Sequence, residues 1–244
     1  VLCQKQSRTL EIATQELQAG WQGSDCATVS FVIKKNNAIK KDGFKLTESE
    51  IQATSALGIL YGVFEMLRLQ QIGQSITEKL YNPSYQIRIL NHWDNLDGSV
   101  ERGYAGNSIF WNKDRNSLLP IDKDLILWKE YARANASVGI NGAVLNNVNA
   151  SPEMLSANIL ARARAIADVF RPYGIRIYLS VKFSSPTQLG HLKTSDPLDN
   201  SVKLWWAEKA KEIYKLIPDF GGFLIKANSE GQPGPQDFGR THAE

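Results

Sequence analysis

Four short runs of apolar and β-branched residues constrain the fold of this chain more than any other feature of its sequence. The runs are centred near residues 88, 144, 178 and 224, and each interval between them is long enough for a helix. A strand that is followed by a helix and then by a second strand of the same sheet runs parallel to that second strand. The sequence therefore predicts a parallel sheet in an α/β protein, as either a doubly wound sheet or a (β/α)8 barrel.

The residues that follow each run favour the barrel. No glycine-rich phosphate-binding loop comes after any of them, which argues against a dinucleotide-binding sheet. Polar side chains follow instead, and barrel enzymes carry their chemistry at this rim; they lie at residues 91–94, 146–147, 182 and 226–230. A complete barrel needs about 250 residues. Residues 85–244 are too few, so we expect the first four β/α units of a truncated (β/α)8 TIM barrel.

Residues 1–84 have a different pattern. Residues 28–33 are rich in β-branched and aromatic side chains and predict a strand, and residues 43–46 predict a second, shorter one. Residues 47–50 have the spacing of a helix capping box. Apolar side chains then recur at helical spacing, at Leu57, Leu60, Phe64 and Leu67. We therefore expect a small two-layer α/β domain over residues 1–84 and the half-barrel over residues 85–244.

Composition and charge exclude several classes of protein. The 244 residues are 43% hydrophobic and 22% charged, as in a globular chain. The net charge of +3 is too small to indicate a nucleic-acid or membrane-surface partner, and no run approaches the ~18 apolar residues of a membrane span. The few cysteines and histidines lack metal-ligand spacing, so we expect no metal and no cofactor. The chain begins at Val1, which leaves its compartment open.

Glu230 is the strongest candidate for a catalytic residue. It follows the fourth predicted strand within residues 226–235, which read Lys-Ala-Asn-Ser-Glu-Gly-Gln-Pro-Gly-Pro. A carboxyl group on irregular backbone after a buried strand suits glycoside hydrolysis, in which a carboxylic acid protonates the departing oxygen. The competing interpretation is a solvated glutamate in a surface loop.

An aromatic and polar loop at residues 91–104 is a candidate sugar-binding segment. Trp93 offers a ring face for the C–H surface of a sugar, and Asp94 and Arg102 offer planar polar groups for its hydroxyls. The alternative is a structural loop in which Trp93 fills one end of the barrel.

Two further polar positions follow predicted strands. Asn147 lies with Asn146 and Asn149 after the second strand, and we expect it either to bind sugar hydroxyls or to close a turn. Lys182 ends the third strand, and we expect it either to pair with an anion or to extend from the barrel mouth. Both are therefore candidates for substrate binding.

Two long motifs include the loop and the candidate acid. The first is Ile-Leu-Asn-His-Trp-Asp-Asn at residues 89–95, with Gly-Ser-Val-Glu-Arg-Gly-Tyr-Ala-Gly at residues 98–106; the second is the segment at residues 226–235. Together they closely resemble the family 67 glycoside hydrolases, the α-glucuronidases of xylan breakdown. The resemblance extends over essentially the whole chain, including residues 239–244.

The resemblance implies an activity and residue roles. Members remove 4-O-methyl-glucuronic acid that is α-1,2-linked to the terminal xylose of xylo-oligosaccharides, with inversion and without a metal. The glutamate that matches Glu230 is the general acid, and the lysine that matches Lys226 helps bind the uronate carboxylate, as suits an ammonium group and an anion. Trp93 falls in a pocket-forming loop, so we expect it to form a wall of the sugar site.

The resemblance also places important parts of the family outside this chain. The general base comes from later strands, and dimer contacts come from a C-terminal helical domain. We therefore expect glucuronoxylan-derived oligosaccharides as partners of a homodimeric parent protein, and no activity in the 244 residues alone.

Two other functions stay open. A hexosaminidase-like glycosidase also has a small α/β domain before a barrel, but its chemistry requires adjacent Asp and Glu after the fourth strand, whereas Ser229 precedes Glu230 here. A non-catalytic carbohydrate-binding remnant would keep the aromatic loop and lack a base. Hydrolysis of aldouronic acids by the full-length parent separates the enzyme from the binding protein.

Overall fold

The chain forms two compact units, each with its own four-stranded sheet. The computed structural model describes residues 7–23, 28–102, 106–116, 119–149 and 151–244, so residues 103–105 of the first motif lie outside the described residues. The first unit takes the described residues up to Arg88 together with Tyr131–Asn141 and Arg171–Ile175, and the second takes those of Ile89–Glu130, Gly142–Phe170 and Arg176–Glu244. The mixture of helices and sheets confirms the α/β class.

The sheet of the first unit is mixed. Its strands are β1 (Ser30–Ile33), β2 (Phe44–Leu46), β3 (Glu50–Ala53) and β4 (Lys79–Tyr81). They lie in the order β1-β3-β2-β4, with β1 parallel to β3 and the other neighbours antiparallel. Strands β1 and β2 are the two that the sequence predicts, whereas β3 and β4 are additional.

Two helices cover this sheet, α1 (Arg8–Gly20) and α2 (Ala56–Gln71). Helix α2 packs against β2 and β3, and α1 packs against α2. Gly62 allows the close approach of α2 to β3, because a Cβ atom there would lie 2.3 Å from Ile51 Cγ2. Helix α1 is absent from the sequence prediction.

Helix α2 begins later than the capping-box pattern predicts. Residues 47–50 form the turn between β2 and β3, in which Thr47 Oγ1 accepts a hydrogen bond from Glu50 N at 3.0 Å, so the predicted capping box is wrong. Ser55 is the N-cap instead, and its Oγ accepts from Gly58 N at 3.2 Å. A hydroxyl that bonds an amide three residues on is common to tight turns and to helix caps, so the spacing alone does not separate them.

The sheet of the second unit is parallel throughout. Its strands are β5 (Ile89–Asn91), β6 (Gly142–Val144), β7 (Arg176–Lys182) and β8 (Gly222–Lys226). They lie side by side in sequence order, which confirms the predicted parallel pairing. The C-terminal ends of all four strands therefore lie at one edge of the sheet.

Helices occupy the connections between these strands: α3 (Asp122–Ser137), α4 (Ala157–Phe170), α5 (Ser185–Gln188) and α6 (Asn200–Leu216). Helix α4 packs against β7. The last turns of α3, from Tyr131 onward, belong to the first unit. None of the helices in the described ranges combines the length and the apolar character that crossing a bilayer requires.

Short capping segments precede two of these helices. Ser151 and Pro152 begin a 3-10 turn, and α4 starts at Ala157. Asp199 caps α6, since its Oδ1 accepts from Ser201 N at 2.8 Å. A carboxylate at the N-cap also suits the positive end of the helix dipole.

Candidate active site

Polar side chains gather at the C-terminal edge of the parallel sheet. Strands β7 and β8 end side by side, with Lys182 and Lys226 as register partners. Register partners of adjacent strands project to the same face of a sheet. The loops that follow β5, β6 and β8 supply the other groups of the site, so sequence segments more than a hundred residues apart meet here.

Lys226 is the centre of a charged cluster. Its side chain is only 8% exposed, and its Nζ donates to Glu230 Oε2 at 2.5 Å and to Asn149 Oδ1 at 2.8 Å. The cation lies at the end of a strand, whereas the carboxylate and the amide lie on loops. The structure thus joins the predicted acid directly to the lysine predicted to bind a carboxylate.

Glu230 occupies a strained turn. Residues 229–232 close through a hydrogen bond from Gln232 N to Ser229 O at 2.9 Å. Both central residues have positive φ, 50° at Glu230 and 75° at Gly231. Such a conformation costs a non-glycine residue about 1–2 kcal/mol, and backbone outliers of this kind cluster at functional sites. The turn leaves 64% of the Glu230 side chain exposed.

The neighbours of Glu230 hold the pKa of its carboxyl group below the usual range. Lys226 contributes most, through its hydrogen bond and its charge, and Asn149 and Arg102 act in the same direction. Glu230 is therefore ionised at neutral pH in this arrangement. A general acid has to carry a proton, so Glu230 needs a change in its surroundings before it can serve as one.

Glu101 connects the asparagines that follow β6. Its Oε2 accepts from Asn147 Nδ2 at 2.5 Å and from Asn149 Nδ2 at 3.1 Å. Asn146 is fully buried and bonds the backbone of Ser180 on β7 instead. One of the three asparagines therefore braces the sheet, while the other two belong to the hydrogen-bond network around Lys226.

Two open clefts are lined in part by residues of this network. One cleft of about 470 Å³ is lined by Trp93, Glu101 and Arg102, and the Arg102 guanidinium lies 4.9 Å from the centre of the Trp93 ring, a cation–π distance. A second cleft, of about 680 Å³, is lined in part by Asn149. An aromatic ring beside cations and hydrogen-bonding groups is an arrangement suited to a charged sugar.

Asp94 lines the first cleft, but its carboxylate is bonded within the protein. The residue is 5% exposed, its Oδ2 accepts from Ser108 Oγ at 2.5 Å, and its Oδ1 lies 3.8 Å from His92 Nδ1. Burial raises the pKa of the Asp94 carboxyl group and lowers the pKa of the His92 imidazole. These contacts orient the loop after β5, and a contact of Asp94 with substrate stays a prediction.

Lys182 is half-buried at the end of β7, next to Lys226 in the register. The two lysines make this part of the edge cationic, which suits an anionic ligand. Across the residues that the structure describes, no group of three His, Cys, Asp or Glu side chains is placed to hold a metal ion.

Sequence reasoning missed the part that Glu101 plays. The residue lies in the first motif, but it bonds Asn147 and Asn149, which are 46 and 48 positions away. No local spacing reveals such a contact. The available signal was a carboxylate next to Arg102 in a segment already rich in sugar-binding residue types.

The segment that carries this cluster matches the model of a known protein family. Residues 68–244 match the model described as the glycosyl hydrolase family 67 middle domain. The chain belongs to glycosyl hydrolase family 67. The match confirms the resemblance seen in the two sequence motifs, and it includes all four residues of the Glu101–Asn149–Lys226–Glu230 network.

Curated relatives of this family 67 chain are named as α-glucuronidases. The chain is 40% identical to the probable alpha-glucuronidase A of Aspergillus clavatus over 98% of its own length. It is 45% identical to the alpha-glucuronidase of Hypocrea jecorina over 84% of its length, and 47% identical to the probable alpha-glucuronidase A of Aspergillus fumigatus over 83%. The chain spans 31%, 25% and 24% of these relatives, respectively.

Solved glycosidase structures resemble the family 67 chain in fold. A glycoside hydrolase family 138 enzyme, which targets pectin rhamnogalacturonan II, aligns with a TM-score of 0.58 over 91% of this chain and 30% of that one. An inactive variant of the family 20 exo-β-N-acetylglucosaminidase of Vibrio harveyi aligns with a TM-score of 0.50 over 88% and 41%. The identities are 13% and 12%, so these similarities concern the fold alone.

Proposed function

We propose that this chain is part of an α-glucuronidase that removes glucuronic acid, or its 4-O-methyl derivative, from xylo-oligosaccharides. The observation that carries the proposal is the Lys226–Glu230 pair at the end of β8, which sets a buried ammonium group beside an exposed carboxyl group. The first can bind the carboxylate that distinguishes a uronic acid from a neutral sugar. The second can protonate a leaving oxygen. The α-glucuronidase names of the relatives support the same activity.

In this proposal Glu230 is the general acid and Lys226 binds the uronate carboxylate. As the α-1,2 bond breaks, the proton moves from Glu230 to the oxygen that leaves with xylose, while the sugar gains oxocarbenium character. A water molecule, activated by a second carboxylate on the opposite side of the ring, attacks the anomeric carbon. Inversion follows from that single displacement.

The remaining predicted residues would hold the sugar. Trp93 would form a wall of the site, with Arg102 over its ring. Asn147 and Lys182 lie at the same edge of the sheet and would bond hydroxyl or carboxylate oxygens. Asp94 lines the same cleft and would hold the loop after β5 in place, because its Oδ2 already accepts a hydrogen bond from Ser108.

Part of the proposed enzyme lies outside this chain. The relatives are three to four times longer, and we propose that residues 1–84 form a leading domain and that β5–β8 are the first half of a (β/α)8 barrel. The later strands would supply the general base, and a C-terminal domain would supply homodimer contacts.

The test is the release of 4-O-methyl-glucuronic acid from short glucuronoxylan oligosaccharides by the full-length enzyme. We expect release from a substrate whose uronic acid is on the terminal xylose, and NMR of the first product should show the inverted anomer. A β-N-acetylglucosaminide serves as the matched substrate for a hexosaminidase. Turnover of that compound instead, or binding of the oligosaccharide without release, would contradict the proposal.

The 244 residues alone should not catalyse the reaction. An inverting mechanism needs a second carboxylate about 6.5–9.5 Å from the acid, and we assign it to later strands. The strands β5 and β8 would also be left as unpaired edges, which favours aggregation. Turnover by the purified 244-residue chain near the rate of the full-length enzyme would show that the base lies within it.

A further inference from the structure

The ammonium group that would receive the uronate is already occupied by the proposed acid. Lys226 Nζ has three hydrogens to donate, and it gives one to Glu230 Oε2 at 2.5 Å and another to Asn149 Oδ1 at 2.8 Å. Only 8% of the side chain is exposed, so the ammonium group has little room to serve a new partner elsewhere. A uronate that binds Lys226 must therefore compete with the Glu230 carboxylate for the ammonium group.

The charges around Glu230 influence this competition between the two carboxylates for Lys226. The groups that act on its carboxylate are Lys226, Asn149 and Arg102. Glu101 is bonded to Asn149 and adds a second carboxylate to the network. Before any ligand arrives, the cations at this edge are Lys226, its register partner Lys182 and Arg102, and the carboxylates are those of Glu101 and Glu230. A uronate would add a third negative charge, and like charges at close range favour protonation of one of the carboxyl groups.

Glu230 is the member of the pair that can move. It lies on the tight turn at residues 229–232, where both central residues have positive φ, and its side chain is 64% exposed. Lys226 is the last residue of β8, and Asn149, itself held by Glu101, braces it. The cation is therefore fixed by the sheet, while the acid extends from an exposed turn, where Lys226 and Asn149 hold it.

We propose that the carboxylate of the bound uronic acid displaces Glu230 from Lys226, and that the released Glu230 takes from solvent the proton that it then donates to the leaving oxygen. This inference rests on the proposed function. One proton enters when the substrate binds, and the same proton leaves with xylose when the glycosidic bond breaks. The substrate carboxylate thereby switches on the general acid.

The exchange gives the enzyme a second level of specificity. A neutral sugar lacks the charge that opens the pair, so Glu230 stays ionised on Lys226 even when the sugar ring is bound. The α-glucoside of the same xylo-oligosaccharide should therefore fail in the chemical step as well as in binding. Discrimination at the chemical step lowers kcat, and weak binding alone would not do so.

The experiment measures proton uptake by calorimetric titration of the full-length enzyme with sodium D-glucuronate. The titrations are run in two buffers of different ionisation enthalpy, at about pH 6 and then at about pH 5, both above the usual pKa of a glutamate carboxyl group. We expect a net uptake that rises toward one proton per site as the pH falls, and no uptake with D-glucose. Binding of glucuronate without uptake, or equal uptake with glucose, would overturn the exchange.

Two variants assign the proton to Glu230. Glu230→Gln should lose the uptake and bind glucuronate about 5-fold more tightly, because a neutral amide competes poorly for the ammonium group. Glu208→Gln removes the same charge from an exposed position on α6 and should match the wild type in both measurements. Unchanged uptake in Glu230→Gln would overturn the proposal.

Different results would contradict the proposed function and the exchange at Lys226. An enzyme that releases glucuronic acid from oligosaccharides but takes up no proton on binding glucuronate retains the proposed function and lacks the exchange. An enzyme that releases no glucuronic acid refutes the proposed function itself. The uptake measured on the wild type needs no variant, so a folding defect in Glu230→Gln leaves the exchange testable.

Discussion

Each unit of this protein contains a cluster made of one cation, one carboxylate and one asparagine. In the first unit Arg88 Nη2 lies 3.2 Å from Asp42 Oδ2, and Asn141 Nδ2 donates to the same oxygen at 3.3 Å. In the second unit Lys226 lies between Glu230 and Asn149. The side chain of Asp42 is 7% exposed, whereas that of Glu230 is 64% exposed.

The first cluster is completed by the backbone. Arg88 also donates to Gly139 O at 2.5 Å and to Tyr85 O at 2.6 Å, and Asn141 donates to Gln86 O at 2.7 Å. The bonds to Gly139 and to Gln86 connect segments that are 51 and 55 positions apart in the sequence. Because nearly every donor of Arg88 and Asn141 is used internally, the cluster serves the fold.

In the second cluster the carboxylate of Glu230 is exposed, whereas that of Asp42 in the first cluster is buried. Lys226 is held by the sheet and by Asn149, while Glu230 extends from a strained turn into solvent. Because Glu230 is exposed, the carboxylate of a ligand can replace it while the buried ammonium group of Lys226 keeps a charged partner. The same pairing therefore stabilises the fold in one unit and is available for chemistry in the other.

Removing the carboxylate of Glu230 should have the largest effect. We expect Glu230→Gln in the full-length enzyme to lower turnover of a natural xylo-oligosaccharide by about 10²–10⁴-fold, the usual contribution of a general acid. An aryl glucuronide has a leaving group that needs little protonation and should lose far less. Steady-state rates on both substrates check this, and equal losses would refute the role of Glu230.

Removing the ammonium group of Lys226 should have the second-largest effect. Lys226→Ala takes away a charge-assisted hydrogen bond worth about 1.5–3 kcal/mol, so glucuronate should bind about 10- to 100-fold more weakly. Affinity for neutral xylo-oligosaccharides should stay the same. Calorimetric titration with both ligands measures the difference, and a parallel loss for both would make Lys226 a structural residue.

A substitution in the buried cluster of the first unit should lower stability and leave the rate of turnover nearly unchanged. Asp42→Asn keeps a residue type that tolerates the positive φ of 64°, but it deprives Arg88 of its charged partner. We expect the free energy of opening of the first unit to fall by about 1–3 kcal/mol, with turnover nearly unchanged. Hydrogen exchange of the amides in α2 measures the first quantity.

The matched control for that prediction is Glu230→Gln, which should leave exchange in α2 unaltered. Protection lost in both variants, or a loss of turnover in Asp42→Asn as large as in Glu230→Gln, would erase the contrast between the two clusters.

The smallest expected effect is on titration. Lys226 is the main cause of the low pKa of the Glu230 carboxyl group, and a nearby cation favours the charged form. Lys226→Met keeps the apolar stem and removes the charge, so the pKa of Glu230 should rise toward its ordinary value. A pH titration of the ¹³C-labelled carboxyl group in the ligand-free enzyme checks the sign. An unchanged pKa would mean that Lys226 and Glu230 do not pair in solution.

Local sequence patterns were sufficient to predict the strands of the second unit. They were not sufficient to predict where helix α2 begins. Runs of apolar and β-branched residues placed the centres of β6, β7 and β8 to within about one residue, because strand preference and burial act over short segments. Thr47 and Ser55 both precede apolar runs, and only the pairing of β3 with β1 and β2 decided which hydroxyl caps the helix.

The sequence by itself determined the parallel order of the second sheet and the residue types at its C-terminal edge, since both follow from strand spacing and from what comes after each strand. The network around Lys226 was decided by tertiary structure. Glu101 reaches Asn149 over 48 positions, and Asn149 reaches Lys226 over 77. Contacts of this separation depend on how the strands align in the sheet, and on which side chain each loop turns inward. The exposure of the carboxylate, which sets Glu230 apart from Asp42, exists only once the chain has folded.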